Sequence, residues 1–411
     1  MSSFPTTGVL MREKFYVCSC KLRLSGERKR GTEFCCKKQE QKKKCAQQRY
    51  CRADTRFGRH ATNIVPNPNP LAPRSPKGEV GSPNPHPSMP LPPLPTLTRA
   101  PELAGLGPWH DSKPFTLESL RGKVVLVDFW TYSCINCIRT LPYIQGYWTK
   151  FKDTGKFVLI GVHSPEFAFE KLERNVSAAI ARHGLTYPIA QDNDFKTWNA
   201  FANRYWPAKY LIDADGYIRY THFGEGGYEE TDLAIQSLLA EIGVSPGGTE
   251  GTDVAEGTEG GTLRQAQGDF ARRNQTPETY LGARSWPALG NSQGEPSDAV
   301  VSYQAPAERT LHKYYLVGDW QLIDNEQQVL RSTEGEIRIK ALGSEVNLVL
   351  GLEPGTSPVM ADIDVDGKPS KKITIDRHDL FTLFKGEYGE HEIILKIHGK
   401  GVEGYAFTFG G

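Results

Sequence analysis

Two cysteines separated by two residues are the most reactive feature of this sequence. Cys134-Ile-Asn-Cys137 follows an apolar, β-branched run at residues 124–127, which predicts a buried strand, and precedes a segment with helical spacing. A cysteine at the start of a helix lies near unpaired N–H groups and the positive end of the helix dipole, which favour its thiolate. The second cysteine follows one turn later, so the two sulfur atoms can form a disulfide. The pair therefore predicts reversible thiol–disulfide chemistry.

The residues around the motif carry a resemblance to a known family. Asp128 lies six residues before Cys134 on the predicted strand, where a carboxylate is costly unless it has a partner or a role. Pro142 lies five residues after Cys137, where it would kink the predicted helix. With Trp130 ahead of the motif, these spacings resemble the thioredoxin superfamily, and the string WTYSCINCIRTLP resembles its TlpA/DipZ-like, extracytoplasmic branch.

Thiol chemistry assigns roles to three of these residues. Cys134 is predicted to be the exposed nucleophile of low pKa that attacks a partner disulfide, and Cys137 the more buried thiol that resolves the mixed disulfide. Asp128 is the candidate acceptor for the proton of Cys137, directly or through water. Residues 135 and 136 carry no cation that would stabilise the thiolate further, which favours a reductant over an oxidant. This chemistry requires neither a metal nor a cofactor.

The substrate-docking residues follow from the resemblance. Pro207 precedes a predicted strand, at the place where thioredoxin folds have a cis-proline facing the two cysteines. A cis bond there would present a backbone edge with which a substrate polypeptide can pair. The side chains predicted to contact substrate are Trp130, Ile135, Asn136 and Trp206.

Two other kinds of chemistry remain open for the motif. A structural disulfide or zinc half-site is one, but zinc requires a second Cys/His pair, and no cysteine outside the motif follows Cys51. A peroxiredoxin is the other, because Thr131-x-x-Cys134 mimics the sequence that positions a peroxidatic thiolate. The proline that should precede this threonine by four residues is replaced by Val127. A resolving cysteine one turn away also suits dithiol exchange better.

Local patterns place the other polar residues of this region. His163 and His183 are acid–base candidates, and the pattern favours surface positions for both, one in a loop and one at a helix end. Residues 194–203 predict a helix capped by Asp192 or Asp194. Alternating strands and helices over residues 100–243 predict an α/β thioredoxin fold, a mixed central sheet with helices on both faces.

Composition limits the remaining functions. The 411 residues carry a formal net charge of +1, so the chain as a whole lacks the excess positive charge that binds nucleic acid. We therefore expect no nucleic-acid partner. Residues 1–60 hold sixteen Lys/Arg against five Asp/Glu and six of the eight cysteines, and a Pro-rich stretch follows. We expect residues 1–99 to be disordered rather than to bind a metal. No apolar run predicts a membrane span or a signal peptide, so an extracytoplasmic location, periplasm or cell envelope, is implied by the resemblance alone.

The C-terminal part has a different pattern. Residues 244–272 are rich in Gly, Thr and Glu and predict a flexible linker. Residues 273–411 hold short alternating runs separated by turn residues, which predict an all-β sandwich domain. The closing string GVEGYAFTFG resembles the carbohydrate-module-like C-terminal domain of the DipZ group. Aromatic residues that could stack on a sugar there, although core positions are commoner, are Tyr314, Tyr315, Trp320, Tyr388 and Tyr405.

These features predict a protein thiol–disulfide oxidoreductase. Its partners would be protein thiols and disulfides, together with an upstream electron donor, membrane-bound or soluble. A glycan is a further candidate ligand at the C-terminal domain.

Overall fold

The computed structural model describes residues 93–244 and 275–410. The predicted disordered region, residues 1–99, and the predicted linker, residues 244–272, lie almost entirely outside these ranges. Within the described ranges, no helix is both long enough and apolar enough to span a bilayer.

The last residues of the predicted disordered region are ordered. Residues 93–99 run along the edge of the first sheet, where the guanidinium of Arg219 donates to the carbonyl oxygens of Leu94 and Pro95. A short strand, Thr98–Arg99, follows and pairs with the sheet. A basic side chain of the first sheet therefore binds the backbone that leads into this strand.

The N-terminal described half forms a mixed seven-stranded sheet. Its strands are β1 (Thr98–Arg99), β2 (Trp109–His110), β3 (Val124–Trp130), β4 (Phe157–His163), β5 (Ile189–Gln191), β6 (Ala208–Ile212) and β7 (Tyr217–Phe223). Their order across the sheet is β1-β7-β6-β3-β4-β5-β2. Strands β3, β4 and β5 run parallel, and the other neighbours are antiparallel. The strand predicted to be buried, β3, is buried along its whole length.

Helices cover both faces of this sheet, which confirms the predicted α/β thioredoxin fold. The helices are α1 (Ile135–Phe151), α2 (Glu173–His183), α3 (Lys196–Ala200) and α4 (Tyr228–Glu241). Because side chains alternate along a strand, Val124 and Leu126 of β3 pack with α1, α2 and α4. Val125 and Val127 point the other way and pack with α3. The strand is thus held from both sides, which fixes the loop that follows it.

Asp192, rather than Asp194, caps α3. Its buried carboxylate accepts hydrogen bonds from the backbone N–H groups of Thr197 (3.2 Å) and Trp198 (2.7 Å), whereas Asp194 is exposed and pairs with Lys196. Asp192→Ala is expected to lower the free energy of unfolding by about 1–2 kcal/mol in urea denaturation of the full chain. Asp194→Ala, the matched control, is expected to change it by less than about 0.5 kcal/mol. Equal losses in the two variants would contradict this assignment.

The C-terminal described half is all β, as predicted. Its strands are β8 (Thr279–Tyr280), β9 (Val301–Tyr303), β10 (Lys313–Ile323), β11 (Gln327–Leu330), β12 (Gly335–Leu352), β13 (Val359–Val365), β14 (Lys368–Ile375), β15 (Asp379–His398) and β16 (Val402–Gly410). They form one antiparallel sheet in the order β14-β13-β15-β12-β10-β11-β16-β8, with β9 beside β10. We call it the C-terminal sheet.

Long strands give this sheet its closed shape. One of them, β12, has 18 residues and a register shift between Gly343 and Glu345. One edge of β12 pairs with β15, and the other pairs first with β10 and then with β16. Because β11 joins β10 to β16, four strands close a ring around a buried apolar core.

The two halves share an apolar contact. Val349, Tyr405 and Ala406 of the C-terminal sheet belong to the same core cluster as the inward face of α1. Ion pairs across the contact join Arg139 to Glu345 at 2.7 Å and Arg182 to Asp379 at 3.0 Å. The C-terminal sheet therefore packs directly against the half that carries the two cysteines.

Candidate active site

The two cysteines lie at the junction of β3 and α1, as the sequence predicts. Cys134 is the N-cap residue of α1, its carbonyl oxygen accepts the backbone N–H of Ile138 at 2.9 Å, and its side chain is half-buried. Cys137 lies one turn later and is 1% exposed. Both are free thiols. Burial raises the pKa of the Cys137 thiol, and a hydrogen bond between the two side chains raises it further. The site thus holds one accessible and one protected thiol.

A buried carboxylate and a buried ammonium lie behind Cys137. Asp128 on β3 and Lys209 on β6 are register partners, and both side chains are buried. In the part of the chain that the structure describes, neither carboxylate oxygen of Asp128 nor Nζ of Lys209 has a hydrogen-bond partner. Burial raises the pKa of Asp128 to about 7, against the opposing charge of Lys209. Burial lowers the pKa of Lys209, and both groups interact electrostatically with Cys137.

Sequence reasoning missed Lys209. A lysine inside the apolar run of β6 is costly to bury, and this was the available signal. Its partner could not be identified without the register between β3 and β6. The structure therefore adds a cation to the predicted acid–base group, and the raised pKa of Asp128, about 7, is close to the value that suits a general base at neutral pH.

Pro207 and Trp206 lie where the resemblance placed them in the order of elements, and the Trp206–Pro207 bond is cis, as predicted. The carbonyl oxygen of Pro207 accepts the backbone N–H of Gly224 at 2.8 Å. The half-buried indole of Trp206 donates to the carbonyl oxygen of Ser164 at 2.9 Å and packs on Trp198, with ring centroids 4.3 Å apart. These contacts hold the segment just before β6 in one conformation.

The predicted contribution of Trp130 to a docking surface is wrong. Trp130 is 0% exposed, because it lies on the same face of β3 as Val124 and Leu126, and its ring packs edge-on against His163 at 5.1 Å. Ile135, also predicted to contact substrate, is only 8% exposed. Asn136 is half-buried.

His163 is not the surface residue that the sequence suggested. Strand β4 continues through it, so the imidazole is fully buried, stacked on Tyr132 with ring centroids 5.7 Å apart. Its Nε2 lies 3.4 Å from Oγ1 of Thr131. Burial lowers the pKa of His163 to about 3, so it is neutral at physiological pH and cannot serve as an acid there. His183 ends α2 as predicted and is half-buried.

A second buried carboxylate, Glu170, contacts the motif loop and was not predicted. It lies in a 3₁₀ turn, Ala168–Lys171, and accepts hydrogen bonds from the backbone N–H and the hydroxyl of Ser133 at 3.3 and 2.6 Å. It also accepts the backbone N–H groups of Glu166 and Phe167 at 2.5 and 3.0 Å. Burial raises the pKa of Glu170 to about 7. A carboxylate in the aromatic segment at residues 167–170 was the only sequence signal.

The C-terminal aromatic residues do not form a sugar platform. Tyr314, Trp320 and Tyr405 are buried in the two core clusters, and Tyr315, which points to the opposite face of β10 from Tyr314, is buried as well. Tyr388 is 36% exposed. Stacking of a sugar on the four buried rings is excluded in this conformation, and glycan binding elsewhere on the sheet stays a prediction.

Comparisons with known proteins identify similar chains. A family model described as AhpC/TSA family matches residues 98–221, and one described as Thioredoxin like C-terminal domain matches residues 276–410. Protein DipZ of Mycobacterium tuberculosis is 35% identical over 316 residues, which cover 76% of this chain and 43% of that protein. Thiol-disulfide oxidoreductase YkuV of Bacillus subtilis is 31% identical over 142 residues, which cover 34% of this chain and 94% of that protein.

The chain spans less than half the length of the DipZ proteins that it matches. Among solved structures, a thioredoxin-like protein in its oxidized form is 30% identical and covers 35% of this chain and 96% of its own, with a TM-score of 0.33.

Proposed function

Because this chain belongs to the TlpA/DipZ-like thiol–disulfide oxidoreductases, we propose that it reduces or exchanges disulfides of partner proteins through Cys134 and Cys137. One observation carries the proposal. An accessible thiol caps α1, a buried thiol follows one turn later, and the buried carboxylate of Asp128 interacts with the second thiol. This is the arrangement that two successive thiol–disulfide exchanges require.

The proposed reaction has two exchange steps. The thiolate of Cys134 attacks one sulfur of the partner disulfide, forms a mixed disulfide and releases the other partner sulfur as a thiolate. Cys137 transfers its proton to Asp128, and its thiolate attacks the sulfur of Cys134, which breaks the mixed disulfide and releases the second partner sulfur as a thiolate. The two partner thiolates then take up protons from water. The partner leaves with two thiols, and the chain retains a Cys134–Cys137 disulfide. An upstream electron donor, a membrane or soluble dithiol, then restores the two thiols by the reverse exchange.

Lys209 is proposed to tune the proton acceptor. Its ammonium is the opposite charge that favours ionised Asp128, so Lys209→Met is expected to raise the pKa of Asp128 above its value near 7. The midpoint of the rate–pH profile for intramolecular disulfide closure is expected to rise by about one unit, measured by rapid quench. Lys156→Met, at an exposed lysine, is the matched control and should leave the midpoint unchanged. An unmoved midpoint in Lys209→Met would contradict the role.

Substrate docking is proposed to use the surface between Asn136 and Trp206. Both side chains are partly exposed, and the resemblance to thioredoxin folds supports the expectation that an extended partner segment pairs beside the sulfur atoms. Trp130 is not part of this surface.

Insulin disulfide reduction tests the proposed function against a thiol peroxidase. The AhpC/TSA match and Thr131-x-x-Cys134 favour the peroxidase as a second candidate. With dithiothreitol as reductant, the full chain is expected to accelerate insulin reduction and to consume hydrogen peroxide no faster than a Cys134→Ser variant does. Peroxide consumption without insulin reduction would overturn the proposal in favour of the peroxidase.

The proposed location is extracytoplasmic, in the periplasm or cell envelope, with protein disulfides as substrates. The likeness of the motif string to the TlpA/DipZ-like branch supports it. A membrane-impermeant maleimide added to intact cells is expected to label Cys134. Labelling only after lysis would contradict this location.

Pull-down of envelope glycans by the full chain, with and without Tyr388→Ala, tests the remaining glycan prediction.

A further inference from the structure

Glu170 joins the two-cysteine motif to the segment that follows β4. Its side chain is fully buried, and one oxygen accepts both the backbone N–H and the hydroxyl of Ser133, the residue immediately before Cys134. The other oxygen accepts the backbone N–H groups of Glu166 and Phe167. A single carboxylate therefore fixes two backbone segments relative to each other, one of which leads directly into the N-cap of α1.

Aromatic residues of the C-terminal half pack against the segment that contains Glu170, residues 166–170. The ring centroid of Tyr405 lies 5.2 Å from that of Phe167 and 4.7 Å from that of Phe169. The imidazole of His378 stacks on Phe169 at 4.6 Å. Aromatic contacts at these distances contribute energy beyond the area that they bury. Glu170 is thus next to two rings that the C-terminal sheet holds.

Polar contacts fix the start of the segment to the C-terminal half. The hydroxyl of Tyr280 donates to Oε1 of Glu166 at 2.5 Å, and Arg284 pairs with the same oxygen at 3.1 Å. The backbone N–H of Ala168 donates to the carboxylate of Glu326 at 3.1 Å. The C-terminal half therefore makes polar contacts with two residues of this segment before Glu170, namely Glu166 and Ala168.

From these contacts we propose that Glu170 is a positioning residue for the Cys134–Cys137 couple, and that the C-terminal sheet sets its position through Phe167 and Phe169. The inference rests on the proposed function. It gives the C-terminal sheet a role in the redox chemistry itself, separate from any ligand of its own. Glu170 acts through Ser133 on the conformation of the loop before Cys134, and its ionised form places a negative charge near the start of α1.

The charge state of Glu170 depends on several neighbours. Glu166 and Tyr132 interact with it electrostatically. Other titratable or charged groups face the residues that contact Glu170: His163 lies beside Thr131, and Arg182 and Asp379 interact with Tyr132. His378 and Tyr405 pack on Phe169. Burial and the charge of Glu166 both favour the protonated form of Glu170. Its ionisation as the pH rises through about 7 would disfavour a thiolate nearby.

The first test compares Glu170→Gln with Asp232→Asn in the full chain, by equilibration with glutathione. Asp232 is a carboxylate that pairs with Lys150 on the helices, so its variant controls for loss of one negative charge. Glu170→Gln is expected to lower the equilibrium constant for oxidation of the Cys134–Cys137 pair by about threefold to tenfold, because a negative charge near the thiolate is removed. Asp232→Asn is expected to leave it unchanged.

The pH dependence separates this role from a merely structural one. In an Asp128→Asn background, which removes the carboxyl that interacts with Cys137 and whose pKa also lies near 7, the alkylation rate of Cys134 is expected to flatten as Glu170 ionises. In the Asp128→Asn/Glu170→Gln double variant, the alkylation rate of Cys134 is expected to rise with pH without this flattening. Identical profiles for the two would overturn the proposal, whatever the stability of the variants.

The role of the C-terminal sheet is tested at Tyr405. Tyr405→Ala removes the ring that packs on both phenylalanines, whereas Tyr405→Phe keeps it and loses only the hydroxyl. Tyr405→Ala is expected to shift the glutathione equilibrium severalfold and Tyr405→Phe to leave it unchanged, with circular dichroism confirming that both are folded. If neither Tyr405 variant shifts the glutathione equilibrium, the C-terminal sheet does not set the position of Glu170.

The outcomes distinguish the inference from the function on which it rests. If the unmodified chain formed no Cys134–Cys137 disulfide in glutathione, this result would contradict the proposed function. An unmodified chain that does so, with Glu170→Gln indistinguishable from Asp232→Asn, would overturn only the inference.

Discussion

Replacing Cys134 with serine is expected to lower the rate of insulin disulfide reduction by roughly 10³-fold or more, to the rate of the uncatalysed exchange. The physical reason is that the thiolate is the nucleophile of the exchange, and a serine hydroxyl is not ionised at neutral pH. Cys134 is the only accessible thiol among the described residues, since Cys137 is buried.

The Cys137→Ser variant is the matched control for this prediction. It keeps the accessible nucleophile and loses the group that resolves the mixed disulfide, so it is expected to accumulate a covalent adduct between Cys134 and its partner. Non-reducing electrophoresis measures the adduct, and reductant should release it. If Cys137→Ser turned over like the unmodified chain, the resolving role of Cys137 would be lost. If it trapped no partner, the attack by Cys134 would be in doubt.

Asp128→Asn is expected to slow turnover by roughly 10²-fold at neutral pH, because it removes the proton acceptor beside Cys137 and keeps the side-chain volume. The limb of the rate–pH profile near pH 7 is expected to disappear with it. Asp215→Asn, at an exposed aspartate of a turn, is the matched control and should retain both rate and profile. An Asp128→Asn variant that kept the limb near pH 7 would assign that limb to another group.

The same substitution has a consequence for stability. Burial raises the pKa of Asp128 from its usual 3.8 to about 7, so the folded chain retains a proton that the unfolded chain releases above pH 4. The contribution of Asp128 to the free energy of unfolding is therefore greatest at low pH and decreases as the pH rises towards 7. Asp128→Asn is expected to remove this decrease, which urea denaturation between pH 4 and 8 can measure.

The sequence predicted the position of the two cysteines between a strand and a helix because its determinants are local. An apolar strand, Cys134 and Cys137 one turn apart, and the position of Asp128 all follow from residues within a few positions of each other. The cis bond at Pro207 was correct because the resemblance fixes the order of elements. The domain boundaries and the docking roles of Pro207, Asn136 and Trp206 stay predictions.

What the sequence could not predict depends on residues far apart along the chain. Trp130 is buried because both faces of β3 are covered, and His163 because β4 extends to it. Glu170 follows Phe169, whose ring packs on Tyr405 from more than two hundred residues later in the chain. Lys209 meets Asp128 only through the register of β3 and β6. In each case a tertiary contact, rather than a local pattern, decides burial and charge.

The most direct test of a reversible Cys134–Cys137 couple is its equilibrium with glutathione, followed by alkylation and peptide mass spectrometry. Trypsin cleavage after Lys123 and Arg139 places both cysteines in one peptide, apart from the six cysteines of the N-terminal region. We expect both thiols to become protected together, with one midpoint, as an internal disulfide. Alkylation of both thiols at every glutathione ratio, or a stable glutathione adduct on Cys134 with Cys137 still free, would contradict the account.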